Sequence, residues 1–311
     1  MAAFDLIVVQ ESWPRSLEQM GTKRKFWYKK HDGDEEDNEE RWIFKYARAG
    51  TGEDWAEKFA EYLCGCLRLP HATYKLAMTW EGEYGVASPS FLRREEKFIS
   101  GKEFLSMADP HYRQNRTKFK NFLHTVNAVM QVLTNISSPK GWSLPNGIHT
   151  ANDIFVGYLM LDALIGNVDR HDENWGVYKN IYNLDYMIAP TYDHANSLGS
   201  LLKDEERKKR LFTKDAGYSL PAYASRGMSA FYESGKNRQL TPLEVFREVA
   251  EMCPNATRIW LTELDALTVD DFERGFDEIP QDRISFESRK FALHLLLYNV
   301  MQLRSYGRGN V

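Results

Sequence analysis

The stretch "LIGNVDRHDENWGVY", residues 164–178, lies in the middle of the chain and guides the interpretation of the rest. Its two ends are apolar, whereas the six consecutive residues 169–174 are all polar or charged. A polar segment between two apolar ones predicts a loop that the hydrophobic core fixes at both ends. Such a loop could be a simple turn, a metal site or a rigid support for catalytic side chains.

The residues before this loop predict a buried helix. Apolar side chains recur at helical spacing over 153–166, and Thr150 and Asp153 have the spacing of a capping box. Gly166 is suited to end that helix, because glycine readily adopts the left-handed conformation. Asp169 is therefore expected in a loop between a buried helix and a short strand.

The whole chain divides into a strand-rich part and a helical part. We predict strands at 4–11, 25–31 and 41–47, a helix at 53–69, and two or three strands within 72–92. We predict helices at 102–107, 118–136, 153–166, 241–253, 259–267 and 285–307, with a small hairpin between the third and fourth of them. This order predicts an α+β, protein-kinase-like fold with a β-rich N-terminal lobe (1–92), a hinge (93–100) and a mainly helical C-terminal lobe (101–311).

Composition narrows the class of protein. The chain has 311 residues, of which 43% are hydrophobic and 27% charged, as in ordinary globular proteins. A net charge of −4 gives no general reason to expect nucleic-acid binding. The three cysteines form no disulfide framework, and no segment has the length of a membrane span or the pattern of a signal peptide. We therefore expect a cytoplasmic protein, although specialised secretion would leave no such signal.

Three residues have the types and order that phosphoryl transfer requires. Asp169 could orient an attacking hydroxyl and accept its proton, while Asn174 and Asp193 could bind Mg²⁺, which prefers hard oxygen ligands. An acid and an amide five residues apart also occur by chance in polar turns. His171 could alternatively be a zinc ligand, but the sequence nearby lacks a second histidine or cysteine before Asp193.

Two segments together resemble a known family. "GNVDRHDENWGV" (166–177) and "APTYDHANS" (189–197) are similar to the catalytic and metal-binding segments of HipA-like serine/threonine kinases. Their D-x-H-x-x-N pattern is shared with phosphatidylinositol 3/4-kinases. The resemblance implies that Asp169 is the catalytic base, that Asn174 and Asp193 hold Mg²⁺, and that His171 supports the loop.

The kinase interpretation requires a strand lysine for the phosphates and a helix glutamate that holds it. Lys45 lies among apolar residues in the predicted strand 41–47. In the following helix we expect Glu57 to be its partner, with Glu61 one turn later as the alternative.

Further nucleotide contacts are expected on both sides of that strand. The segment "MGTKRKFWY" (20–28) resembles the family's G-x-Q-x-K phosphate loop, with Lys23 in the place of the glutamine. The hinge should contact adenine through its backbone and apolar groups, with Phe98 as one more candidate. The expected ATP-binding residues are therefore Gly21, Thr22, Lys23, Lys25, Lys45, Glu57, Ser90, Phe91 and Leu92.

These features predict an ATP- and Mg²⁺-dependent kinase that phosphorylates a Ser or Thr hydroxyl of a protein, itself included. The expected partners are ATP and a protein substrate, without nucleic acid. Two alternatives stay open: a small-molecule or lipid kinase of the same fold, and a nucleotide-binding scaffold without catalysis. The absence of an obvious basic amphipathic helix weighs against a lipid substrate.

Overall fold

The N-terminal strands form one six-stranded sheet. Its spatial order is β1-β5-β6-β4-β3-β2, and every neighbouring pair is antiparallel except β1 and β5. The strands are β1 (Leu6–Val9), β2 (Arg15–Leu17), β3 (Lys25–Lys29), β4 (Arg41–Tyr46), β5 (Lys75–Thr79) and β6 (Tyr84–Pro89). The computed structural model describes residues 4–17, 23–30, 41–114, 121–182 and 185–309.

The two faces of this sheet differ in chemistry. Alternate residues of β3 and β4 bury aromatic rings on one face, where Phe26 and Phe44 stack with their ring centroids 5.4 Å apart. Side chains alternate between the faces of a strand, so Lys25 and Lys45 point to the other face. These two lysines lie directly opposite each other in the β3–β4 register. The sheet therefore carries a basic strip on the face away from its aromatic core.

Helix α1 (Glu53–Cys66) packs on the sheet and connects it to the helical part. The ring of Phe59, in this helix, stacks on the ring of Phe276 with their centroids 3.9 Å apart. Nearly every residue of its first two turns is buried, because the helix lies between the sheet and the later helices. A polar residue on this helix is therefore held in a fixed place near both parts of the chain.

The second part is mainly helical and includes a small sheet. Strands β7 (Glu96–Ser100), β8 (Gly176–Asn180) and β9 (Tyr186–Ile188) pair antiparallel in that order. A short 3-10 helix covers Ala216–Tyr218. The helices are α2 (Gly101–Ala108), α3 (Pro110–Gln114), α4 (Val126–Leu133), α5 (Ala151–Ile165), α6 (Asp204–Phe212), α7 (Leu220–Arg226), α8 (Pro242–Met252), α9 (Pro254–Asp265), α10 (Val269–Asp277) and α11 (Phe286–Gly309).

Helix α5 is the centre of the helical part. The predicted capping box is confirmed, since the Thr150 and Asp153 side chains each accept a hydrogen bond from the other's backbone N–H. The helix is buried on nearly all sides against α8, α9 and α11, and it ends at Gly166 with a φ of 64°. The chain thus leaves the core at a fixed point, directly before the polar loop.

The predicted order of strands followed by helices is confirmed, with local differences. Of the helix expected over 118–136, residues 118–120 lie outside the described residues. In the rest, α4 is shorter than expected, because residues 121–125 form a turn in which the Asn121 side chain accepts a hydrogen bond from the Leu123 N–H. Elements β2, β7, α3, α7 and α10 were not predicted, and β7 occupies the second half of the expected hinge. Among the described residues, no helix is long and apolar enough to cross a membrane.

Candidate active site

A cleft of about 730 Å³ lies between the six-stranded sheet and the helical part. It brings together residues that are far apart in the sequence. Gly21 and Thr22 lie outside the described residues, and Glu57 is buried behind the cleft wall. The other predicted site residues all line it, namely Lys23, Lys25, Lys45, Ser90, Phe91, Leu92, Phe98, Asp169, His171, Asn174 and Asp193.

The polar loop is tightly closed by its own hydrogen bonds. The side-chain oxygen of Asn167 accepts a bond from the Asp169 N–H at 3.1 Å. The Asn174 amide nitrogen donates to the Asp169 carbonyl oxygen at 2.7 Å. This closure places the carboxylate of Asp169 and the amide oxygen of Asn174 on the same wall of the cleft.

Arg170 anchors this loop to helix α5. Its guanidinium donates two hydrogen bonds of 2.8 Å to the carboxylate of Asp162, and a third of 2.8 Å to the Asn174 carbonyl oxygen. The Arg170 side chain is 1% exposed, so these bonds replace all of its hydration. Sequence reasoning gave Arg170 no role, although an aspartate inside an otherwise apolar helix was a signal of a buried partner.

The other polar residues of the loop also hold it in place. The carboxylate of Asp172 accepts a hydrogen bond from the Tyr112 hydroxyl at 3.0 Å, and Glu173 pairs with Lys102 at 2.8 Å. The His171 ring nitrogen Nδ1 accepts from the Glu173 N–H at 3.1 Å, and its Nε2 lies 4.0 Å from Asp169. His171 therefore supports the loop through its Nδ1, and its Nε2 lies near the carboxylate of Asp169.

Asp193 meets the lysines of the sheet. Its Oδ1 lies 3.5 Å from the Lys45 ammonium and 3.7 Å from that of Lys23. Its φ of 62° is in the left-handed region, which is uncommon for non-glycine residues and is found where neighbouring contacts stabilise it. Burial would raise the pKa of Asp193, but the charges of Lys45 and Lys23 outweigh it and hold that pKa well below its usual range.

The expected ion pair between Lys45 and Glu57 does not occur in this structure. Glu57 Oε1 instead accepts a hydrogen bond from the His194 N–H at 2.7 Å, and the His194 ring nitrogen lies 3.4 Å from it. Burial opposes its ionisation, yet the bond with His194 and the charge of Lys45 keep the pKa of Glu57 below its usual value. Glu61, the alternative, pairs with Lys58. Sequence spacing placed Glu57 near the site but could not identify its partner.

The sheet side of the cleft is strongly basic. Lys25 and Lys45 lie directly opposite each other in the β3–β4 register, which concentrates positive charge on this wall. Lys23 and Arg48 extend this wall, and both reach the buried carboxylate of Glu53, at 3.3 Å and 3.6 Å. The wall therefore suits a ligand with several negative charges, such as a polyphosphate.

The opposite end of the cleft is aromatic and apolar. The rings of Phe91 and Tyr192 stack with centroids 6.2 Å apart, and Phe98 meets both rings edge-on. The Ser90 N–H donates to the Arg41 carbonyl oxygen at 2.7 Å, and the Ser90 hydroxyl accepts from the Leu92 N–H. This end offers the flat apolar contact that a purine base requires.

The site also has suitable ligands for Mg²⁺. Asp193 Oδ1 is buried and, among the described residues, accepts no hydrogen bond. The amide nitrogen of Asn174 is used within the loop, which leaves its oxygen for another partner. A carboxylate and an amide oxygen, completed by water and phosphate oxygens, match the preference of Mg²⁺.

Comparison with solved protein structures identifies the fold. No protein-family model matches the sequence, and no curated protein matches it either. The chain is similar to the solved structure of the Helicobacter pylori proinflammatory kinase CtkA, with a TM-score of 0.72 and 15% identity over 98% of this chain and 99% of that one. It is also similar to HipA of the Shewanella oneidensis MR-1 HipA–HipB–operator DNA complex, with a TM-score of 0.53 and 10% identity over 85% of this chain and 58% of that one. The chain therefore has the protein-kinase-like fold of these two structures, as the order of its strands and helices predicted.

Proposed function

We propose that the protein is an Mg²⁺- and ATP-dependent kinase that transfers the γ-phosphoryl group to a Ser or Thr hydroxyl of a protein. One observation carries this proposal: Asp169 and Asn174 on the anchored loop face the same cleft as the Lys45–Asp193 pair. A basic wall and an aromatic end in that cleft supply matching surfaces for the phosphates and the base of a nucleotide.

The chemistry assigns Asp169 to the acceptor hydroxyl. The hydroxyl oxygen forms a new bond to the γ-phosphorus, while the bond between that phosphorus and the β,γ-bridging oxygen breaks. ADP leaves with the electron pair, and the hydroxyl proton passes to the Asp169 carboxylate. Burial raises the pKa of Asp169, and the opposing effect of nearby His171 is smaller. The raised pKa makes the Asp169 carboxylate a better proton acceptor.

The remaining charged residues position the phosphates. Lys45, Lys23 and Lys25 would lie along the phosphate chain and offset its charge. Bound Mg²⁺ would be held by Asn174 and Asp193 and would supply charge neutralisation at the phosphates. Catalysis would then arise mainly from positioning and electrostatic stabilisation.

The acceptor class is the finer part of the proposal. It is supported by the sequence resemblance to HipA-like serine/threonine kinases, and a fold likeness at 15% identity does not extend to the substrate. A panel of a protein mixture, free aminoglycosides and phosphoinositide vesicles would separate the acceptor classes. Incorporation into protein alone supports the proposal, and incorporation into either of the others replaces it. A cytoplasmic location and the absence of nucleic-acid partners stay predictions from composition.

The central test is Asp169→Asn, with Asp270→Asn as its matched control. Asp270 is exposed in the first turn of α10, far from the polar loop in sequence. Asp169→Asn should reduce transfer of labelled γ-phosphate by at least about 10²-fold, because it removes the proton acceptor. The control should retain the wild-type rate.

Nucleotide binding is measured separately from turnover. ADP with Mg²⁺ should raise the melting temperature of the wild type and of Asp169→Asn alike, and EDTA should diminish the rise. Equal transfer rates for Asp169→Asn and the wild type would show that the assignment is wrong. Binding by a wild type that transfers no phosphate would favour the scaffold alternative.

A further inference from the structure

We propose that Tyr74 is a positioning residue whose hydroxyl couples Glu57 to both Lys45 and Asp193, in the place of a direct lysine–glutamate ion pair. This inference rests on the proposed kinase function and identifies how its site is held together. Tyr74 lies directly before β5, lines the cleft and is 2% exposed.

The hydroxyl of Tyr74 accepts hydrogen bonds from two parts of the site. The Lys45 ammonium donates to it at 3.5 Å, and the Asp193 N–H donates to it at 3.3 Å. A tyrosine hydroxyl has two acceptor positions and one proton. With both acceptor positions used, that proton is available to a buried acceptor.

Glu57 supplies this acceptor. Its Oε2 is buried and, in the part of the chain that the structure describes, has no hydrogen-bond partner. The ordinary pKa of a tyrosine is about 10, so the Tyr74 hydroxyl keeps its proton at neutral pH. A protonated hydroxyl beside an unpaired buried carboxylate oxygen gains stability by donating to it.

Tyr74 and Glu57 together fix two consecutive backbone groups. Tyr74 binds the N–H of Asp193, and Glu57 binds the N–H of His194 at 2.7 Å. Holding both groups enforces the left-handed φ of Asp193 and so directs its carboxylate toward Lys45. The hydroxyl thereby links the sheet, helix α1 and the segment after β9.

The test is Tyr74→Phe, which retains the ring against its buried neighbours Leu76 and Val86 and removes only the hydroxyl. We expect kcat to fall about 10-fold to 10²-fold, because the reacting groups lose their alignment. The KM for ATP should change less than kcat. The Mg²⁺ concentration for half-maximal ADP binding, measured by calorimetry, should rise several-fold because the orientation of Asp193 is relaxed.

A double-mutant cycle separates coupling from general damage. Because Tyr74 acts through Glu57, the two substitutions should not be additive. The kcat of the double variant Tyr74→Phe/Glu57→Gln should be only slightly lower than that of the more impaired single variant. Tyr62→Phe is the control for a lost tyrosine hydroxyl, since its hydroxyl donates to the Asp271 carbonyl oxygen away from the cleft. Its kcat and Mg²⁺ dependence should match the wild type.

The outcomes distinguish this inference from the proposed function. If the wild type binds Mg-ADP but transfers no phosphate, the kinase assignment is overturned. The role of Tyr74 is then decided by comparing the Mg²⁺ dependence of ADP binding between the wild type and Tyr74→Phe. Wild-type kcat and Mg²⁺ dependence in Tyr74→Phe, or full additivity with Glu57→Gln, would overturn the coupling. A wild type that binds no nucleotide overturns both.

Discussion

The carboxylate of Asp162, inside helix α5, accepts two hydrogen bonds from the guanidinium of Arg170, in the middle of the polar loop. The same carboxylate accepts a third bond from the Asn167 side chain at 2.7 Å. One buried anion therefore attaches the start and the centre of the loop to the last turn of the core helix. Because Asp169 lies between these two attachments, its position depends on the pair.

The first prediction concerns Arg170→Lys. Lysine keeps the charge but cannot make the paired bonds to Asp162 and reach the Asn174 carbonyl oxygen as well. We expect phosphate transfer to fall at least about 10-fold, since small misplacements of a catalytic group are costly. The melting temperature should also fall by several degrees, because a buried carboxylate loses part of its pairing.

The control for this prediction is Arg304→Lys. Arg304 also pairs with an aspartate, Asp265, at 2.7 Å, but this pair is on the surface. Exposed pairs contribute on the order of 0–1 kcal/mol, so transfer and melting temperature should stay near the wild type. Equal effects of the two variants would show that the buried pair has no special role in the loop.

The second prediction is that Asp169→Asn stabilises the fold while it strongly reduces turnover. The folded-state pKa of Asp169 is raised by burial, so the ionised carboxylate at pH 7 opposes folding. Removing its charge should therefore raise the melting temperature at pH 7. The gain should shrink at a pH below the unfolded-state pKa, where the wild-type carboxyl is protonated in both states.

Asp193→Asn should have the opposite effect. The pKa of Asp193 is lowered in the fold, so its ionised form stabilises the protein above the unfolded-state pKa, and this contribution is lost as pH falls. Replacement should therefore lower the melting temperature at pH 7. Scanning calorimetry of both variants measures this contrast, and shifts of the same sign would contradict it.

The third prediction is the acid limb of the pH–rate profile. Asp169 must be ionised to accept a proton, and its raised pKa should place the midpoint of the limb in kcat/KM above about 3.9, the ordinary aspartate value. Asp193 stays ionised over this range because its pKa is lowered. Circular dichroism at each pH checks that the fold is intact. A midpoint at or below the ordinary value would refute the assigned base.

The fourth prediction concerns Lys23→Gln, which introduces the residue that the resembling family carries there. Lys23 contacts Glu53 and Asp193 from the basic wall. Losing its charge should raise the KM for ATP about 3-fold to 10-fold and change kcat less, as expected when an interaction contributes equally to substrate and transition state. Lys97→Gln, an exposed change on β7, should leave both constants unchanged. An unaltered KM in Lys23→Gln would remove Lys23 from the nucleotide site.

Much of the fold could be predicted because its signals are local. The capping box of α5, Gly166 at its end and the helical spacing of apolar residues all depend on neighbours within a few turns. Strand β7 was missed because its conformation depends on pairing with β8, about 80 residues later in the chain. The turn before α4 was missed because a polar side chain, Asn121, competes with the helix for backbone groups.

The sequence by itself determined which residue types are available for the chemistry, since Asp169, Asn174, Asp193 and Lys45 occur in an ordered, recognisable pattern. Only the tertiary structure decided their partners. In the folded chain, Glu57 accepts a hydrogen bond from the His194 N–H, and Arg170 donates to Asp162. The Tyr74 hydroxyl accepts from both Lys45 and the Asp193 N–H. The physical reason is that a buried polar group must find a complementary group, and burial is set by the packing of distant segments.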